Sequence, residues 1–231
     1  MSVIIRVLST LALKGAVQRL CGEFEAAGGA RIDADFAPTL ALLQRLRAGE
    51  AADVVILTRE GLDEVAREGR VAKESCVDLA RSWVGIAVKA GAAHPDIATE
   101  PALSAALLAA RSVAYSRLGA SGILFAKLIE QLGIAAEINA RAVIIQQGFT
   151  AEKLVTGESD LAVQQISELK QIGGIEVVGP IPYELQTAAV FSAGRMAAAS
   201  NAAEADRLLR YLASAEVAPV LRDSGLEPFN P

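Results

Sequence analysis

Apolar and polar positions follow two periods along this chain. Short, nearly continuous apolar runs are followed by longer stretches in which apolar residues return at helical spacing. "VIIRVLS" predicts a strand ending at Ser9-Thr10, and "LALKGAVQRLCGEFEAAGG" a helix closed by a glycine pair. "ARIDADFAPT" predicts a second strand closing at Pro38-Thr39, and "LALLQRLRAGE" a second helix. "ADVVILT" is continuous rather than alternating, as expected of a parallel strand covered on both faces. A polar helix, "REGLDEVAREG", and a longer strand, "SWVGIAVKAG", come next. The alternation then repeats through helix "PALSAALLAA", strand "RSVAYS", helix "SGILFAKLIEQLGI", strand "RAVIIQQ", helix "TAEKLVTGES" and strands "DLAVQQI" and "IEVVGPIP". After "TAAVFSAG", the helices "NAAEADRLLRYLAS" and "AEVAPVLRDSG" finish the chain. Such βα alternation predicts an α/β protein with mixed, mostly parallel sheets flanked by helices, and ligand sites beyond the carboxyl ends of the strands.

No linker rich in Pro, Gly or Ser divides the chain, and no internal repeat is present. Two places nevertheless suggest a change of lobe: the long strand over residues 83–90, and residues 180–190, where "GPIPYELQ" leads into another strand. If both are crossovers, residues 1–82 and 187–231 form one discontinuous lobe and residues 83–186 a second. A cleft between two such lobes suits capture of a small molecule.

Composition narrows the partners. The chain has 231 residues, 52% apolar and only 4% aromatic, with a net charge of −5. Without basic clusters or aromatic stacking platforms, nucleic acid is not an expected partner. Cys21 and Cys76 are isolated and lack metal-ligand spacing, so they read as buried thiols, and no metal is expected. No apolar run approaches the roughly 20 residues that span a bilayer, so no membrane insertion is expected. "MSVIIRVLST" lacks the basic n-region and cleavage site of a secretory signal. As written, the chain is expected in the cytoplasm, or in the periplasm if a leader was trimmed from it.

Four strand ends carry polar groups of one kind. Ser9 and Thr10, Thr39, the turn "SRLGASG" with Ser116, Arg117, Ser121 and Gly122, and Gln147 with Gly148 all fall there, and Gln165 lies on a strand nearby. Hydroxyls, side-chain amides and N–H groups at helix starts are neutral donors, which share the charge of a dehydrated small anion. Each segment alone also reads as a cap or a turn, with Ser121 an N-cap and Gly119 and Gly122 shaping the loop. Their common placement at strand ends favours a binding site. Neither GxxxxGK[ST] nor GxGxxG is present, and no cofactor is expected.

The stretches "VLSTLALKGAVQRLCGEFE", "FAPTLALLQRLRAGEAADVVILT", "SVAYSRLGASGILFAKLIEQLGI", "EKLVTGESDLAVQQISEL" and "VVGPIPYELQ" with "LLRYLASAEVAPVLRDSGLEP" span nearly the whole chain. In their order they resemble the type II periplasmic solute-binding proteins, and within them the molybdate-binding proteins of ABC transporters. The resemblance implies a two-lobed fold with two crossing strands. It also implies an oxyanion held near Ser9, Thr39, the 116–121 turn, Gly148 and Gln165, and an ABC permease as partner if the chain is exported. Two departures bear on the ligand. Gln165 stands where the molybdate binders usually place a tyrosine after the motif matched here by "GESD", and Pro38-Thr39 stands where they often show two small residues. Arg117 adds a planar fork that suits a carboxylate, although it reads equally as a solvated turn residue. Oxyanion and organic carboxylate both remain open.

An enzyme is the alternative, because aconitate isomerase resembles the same family and the fold permits proton transfer on an unsaturated polycarboxylate. A cytoplasmic ligand sensor comes third. Candidates for an acid or base are few: His94 in a turn, Tyr115 before the anion turn, Glu158 and Asp160 in "GESD", and Glu168 nearer the ligand. "GASG" around Ser121 is not a GxSxG nucleophile elbow.

Overall fold

In the computed structural model, which describes residues 3–230, the first alternation becomes β1 (Ile4–Ser9), α1 (Lys14–Ala26), β2 (Arg31–Phe36), α2 (Thr39–Arg47), β3 (Val54–Thr58), α3 (Arg59–Arg67) and β4 (Val77–Ser82). The middle of the chain forms β5 (Val84–Lys89), α4 (Glu100–Ala109), β6 (Val113–Ser116), α5 (Ala120–Gln131), α6 (Ala135–Asn139), β7 (Val143–Ile145), α7 (Glu152–Val155), β8 (Leu161–Gln165), α8 (Ile166–Leu169) and β9 (Ile175–Pro180). The end supplies β10 (Ala189–Arg195), α9 (Ala202–Leu212), α10 (Ala218–Asp223) and β11 (Glu227–Pro228).

These elements sort into two compact units, Met1–Ser82 with Ala189–Pro231, and Trp83–Ala188. The return comes at Ala189 rather than at residue 187, and Gln186 shows why. Its side chain accepts from the Val84 N–H at 2.9 Å and donates to Val84 O at 3.1 Å and Ile181 O at 2.5 Å, so it is tied into the second unit.

The first unit holds a six-stranded sheet of order β11-β4-β10-β3-β1-β2. One face is covered by α1, α9 and α10, which contribute Leu20, Phe24, Leu208, Leu212 and Val220 to a core shared with Ile5, Val7 and Ile56. The opposite face packs Leu42, Leu43, Leu46 and Leu62 against Leu8, Val55 and Leu57. In α1 the buried residues Ala16, Val17, Leu20, Cys21 and Phe24 follow the helical period, which is why this stretch folds as a helix. Strand β3 is buried at Val54, Val55, Ile56 and Leu57, as its continuous apolar run requires.

The second unit holds a five-stranded sheet of order β7-β6-β8-β5-β9. Tyr115, Phe125, Leu128, Ile129 and Ile138 fill one face, and a smaller cluster of Ala114, Ala151, Leu154, Ala162 and Leu169 the other. In both sheets, parallel pairing is confined to β1 with β2 and β3 and to β6 with β7 and β8. The remaining ladders, all involving β4, β5, β9, β10 or β11, are antiparallel, so the sheets are less parallel than the βα alternation implies.

The long strand expected over residues 83–90 is β5, and a separate strand, β4, precedes it in the other sheet. Asp78 and Arg81 hide β4 from a reading by hydrophobic pattern. In the fold Asp78 accepts from Arg59 Nη1 at 2.8 Å and Ser192 Oγ at 2.5 Å, while the Arg81 guanidinium lies 4.5 Å from the Phe229 ring centroid.

Candidate functional site

In the first unit, the parallel strands β1, β2 and β3 end together, because Ser9 aligns with Phe36 and with Ile56. The chain leaves these ends directly into helices, and that places Ser9, Thr10 and Thr39 at one edge of the sheet. Ser9 is fully buried and donates its hydroxyl to Thr10 O at 3.1 Å. Thr10 and Thr39 are 5% and 7% exposed, and neither hydroxyl has a hydrogen-bond partner among the described residues. Thr39 packs closely on α3: a Cβ at Gly61 would sit 2.9 Å from Thr39 Cγ2. Thr58, which the sequence reading passed over, lies at the same edge, and its Oγ1 accepts from the Gly61 N–H at 3.3 Å. Its position between an apolar run and a helix carried the signal of an N-cap.

In the second unit, β6, β7 and β8 likewise end at one edge, with Ser116 aligned to Ile145 and Ala114 to Ala162. Ser116, Ser121, Gly122, Gln147, Gly148 and Gln165 gather there. Gly122 is the structural key. A Cβ at this position would lie 1.4 Å from Ser116 O, so only glycine lets the first turn of α5 press onto the end of β6. Ser121 is not the N-cap; that position is Gly119, and no side chain caps the helix. Ser121 sits instead inside the first turn, 2% exposed, with a hydroxyl that has no partner among the described residues. Ser116 Oγ accepts from the Leu118 N–H at 3.2 Å and keeps its own hydrogen to donate.

Arg117 does not join this group through its side chain. Its guanidinium donates to Asn139 Oδ1 at 3.3 Å, an oxygen that also accepts from the Tyr115 hydroxyl at 2.5 Å. Gln147 is exposed after β7. Gly148 has φ +86°, and its carbonyl accepts from Gln164 Nε2 at 3.1 Å. Gln164 also accepts from Thr150 N at 2.8 Å and Thr150 Oγ1 at 3.0 Å, so this amide builds the loop. Its neighbour Gln165 ends β8, 2% exposed, and donates its N–H to Glu168 Oε2 at 3.2 Å, one arm of a capping box.

The acid and base candidates separate clearly. Tyr115 is fully buried against Phe125, ring centroids 5.1 Å apart, and belongs to the core. His94 is exposed and pairs with Glu176 at 2.8 Å. Glu158 is held below the usual carboxylate range by Lys153 and the Thr156 hydroxyl, and Asp160 pairs with Arg111 at 2.8 Å. Glu168 is different: burial pushes its carboxyl up to about 8, against the opposing effect of the Gln165 N–H. Burial also pushes the Cys21 thiol up to about 12, which makes it inert. Among the described residues, no group of three or more His, Cys, Asp or Glu side chains could hold a metal ion. No helix among them is long and apolar enough to cross a membrane.

Comparison with known proteins agrees with this architecture. The family model for bacterial extracellular solute-binding proteins matches residues 5–227. A protein from Pseudomonas sp named aconitate isomerase is 37% identical over 229 residues, covering 96% of this chain and 87% of that protein. Among solved structures, the Azotobacter vinelandii periplasmic molybdate-binding protein is similar with a TM-score of 0.81 at 15% identity, over 96% of this chain and 98% of that one. The sulfate-binding protein of Mycobacterium tuberculosis H37Rv gives 0.77 at 14% identity, over 99% and 88%. At such identities the structural likeness carries the periplasmic-binding-protein fold alone.

Proposed function

This chain belongs to the bacterial extracellular solute-binding proteins, and on that premise we propose that it binds a small organic carboxylate, an inorganic oxyanion being the other class its donors accept. The observation that carries this reading is Ser121, a residue 2% exposed whose hydroxyl has no partner among the described residues, in the first turn of a 12-residue helix. A hydroxyl with no protein partner is free to donate, and a helix start adds N–H groups and the positive end of the helix dipole, so an anion there is met by both. In the first unit Thr39, 7% exposed, opens α2, and Thr10, 5% exposed, precedes a 3-10 turn; neither hydroxyl has a partner among the described residues. Arg117, tied to Asn139, does not decide between the ligand classes; the carboxylate is favoured by the name of the 37% identical relative. An ABC permease is the partner this reading implies where the chain is exported.

A thermal-shift panel of molybdate, tungstate, sulfate, phosphate and di- and tricarboxylates tests the ligand class. A ligand at about 100 times its Kd adds roughly 2.7 kcal/mol to folded-state stability. A carboxylate is expected to give the largest shift, and a response to molybdate and tungstate alone overturns the preference. Ser121→Ala is expected to weaken the responding ligand and leave the unliganded Tm nearly unchanged, because no cap bond is lost. A large fall in the unliganded Tm would make Ser121 a structural residue instead.

The same relative favours a second reading, in which the bound ligand is an unsaturated polycarboxylate and the protein moves its double bond. Conversion of trans- to cis-aconitate, followed by NMR of the vinyl and methylene protons in deuterated buffer, separates binder from enzyme.

A further inference from the structure

We propose that Lys14 determines ligand specificity in the first unit: its ammonium pairs with one carboxylate of a bound di- or tricarboxylate at the sheet edge, an inference that rests on the carboxylate reading above. Three observations place this charge. Lys14 opens α1 one turn beyond Thr10, with the 3-10 turn Leu11–Leu13 between them. Cα–Cβ bonds in a helix tilt towards its N-terminus, so a side chain here runs back towards the strand end from which the helix starts. Lys14 Nζ lies 5.9 Å from the centroid of the Phe36 ring. Phe36 is the last residue of β2, aligns with Ser9 and packs against the same core as α1. The ammonium is thereby held at the joint ends of β1 and β2, where Ser9 and Thr10 lie.

A purely structural helix start would be built differently. Helix N-termini carry the positive end of the dipole and are ordinarily supported by acids or uncharged caps. Neither the 3-10 turn nor α1 has an acidic residue in its first turn, and Thr10 makes no side-chain cap bond. Between Ser9 and Gln18, Lys14 is the one charged residue in the sequence. Thr10 is 5% exposed, and its hydroxyl has no partner among the described residues. A lysine, a donor hydroxyl and the positive end of a 13-residue helix therefore meet at one place, and a bound anion answers all three.

The ammonium changes what this edge selects. Hydroxyls and N–H groups spread the charge of a small anion over several neutral donors. An ammonium adds a formal positive charge and three donors at a single point, and makes charge-assisted hydrogen bonds to a carboxylate oxygen. The Phe36 face attracts the ammonium without cancelling its charge. The pairing is non-covalent, and no proton changes hands.

The test titrates the full chain with trans-aconitate, citrate and succinate by calorimetry. Lys14→Met keeps an unbranched apolar stem on Phe36, so the unliganded Tm is expected to hold. The Kd of a carboxylate that binds should rise about 10- to 100-fold, as loss of a hydrogen bond to a charged group gives. Lys14→Arg keeps the charge and the ring contact and is expected to stay within about threefold of wild type. Arg19→Met removes the same charge from an exposed position on α1, where Arg19 pairs with Glu23 at 3.1 Å, and is expected to bind as wild type does. Salt gives a second readout. On a chain of net charge −5, screening by itself relieves the repulsion of an anion. A wild-type Kd that rises between about 0.05 and 0.5 M ionic strength therefore marks a local cation, and the rise should vanish in Lys14→Met. A carboxylate bound equally by wild type and Lys14→Met, a wild-type Kd that does not rise with salt, or an equal loss in Arg19→Met overturns the role of Lys14 alone. A wild type that binds none of the three carboxylates overturns the carboxylate reading, and this inference with it.

Discussion

Gly122 shows how one missing side chain positions the candidate site. Its neighbour on β6 is backbone rather than a movable side chain, so the 1.4 Å approach to Ser116 O cannot be relieved by a rotamer change. Gly122→Ala must push α5 off the strand end, and we expect a loss of more than ~3 kcal/mol in urea denaturation, at or beyond the upper range for overpacked sites. At the same scale, sequence reasoning separated Ser121 from its surroundings but not its role. A serine before a helical run carries the signature of an N-cap, and only the observed helix start at Ala120 moves it into the first turn. Gln164 and Gln165 make the same point. They are adjacent and chemically identical, yet one builds a loop and the other sits at the strand end beside Glu168.

Among elements, the legible ones carried a period long enough to read. In α9, Ala205, Leu208, Leu209 and Leu212 form a buried stripe that the sequence displays directly. Helix α8 has four residues and α7 four, too few to show a period, so the sequence reads only Ile166 of α8, as the end of its strand, and makes α7 longer than it is. Short elements of this kind depend on side chains that hold the loops between them. Gln164, 3% exposed, ties Thr150 and Gly148 at the end of β7 to β8. Gln164→Leu strands a buried N–H and a carbonyl, each costing about 1–3 kcal/mol, so a loss of roughly 2–6 kcal/mol is expected. Faster amide hydrogen exchange at residues 148–150, with the α9 amides unchanged, would identify the loop as the part released.

For the whole molecule, charge and burial set a pH window for stability. Arg45 holds Asp35 and Glu50 below their ordinary values, and Arg47 does the same for Glu68. A carboxylate depressed in the folded state contributes stability above its unfolded pKa and loses it as pH falls through the folded value. Tm should therefore drop below about pH 4, and less steeply in high salt because these pairs are largely solvated. Glu168 acts with the opposite sign: raised on folding, it contributes fully below its unfolded value of 4.5, and that stability is lost as pH rises through about 8. A pH series of melting curves should show both limbs, with the alkaline one weakened in Glu168→Gln. By itself the sequence determined the alternation of strands and helices, the apolar faces and the strand ends where polar residues collect, because those follow from spacing along a few neighbouring residues. Tertiary structure alone decided which hydroxyls lack partners, which amide builds a loop, and which carboxyl holds its proton. Hydrogen bonding and desolvation are sums over atoms brought together from distant parts of the chain, and no local pattern encodes that sum.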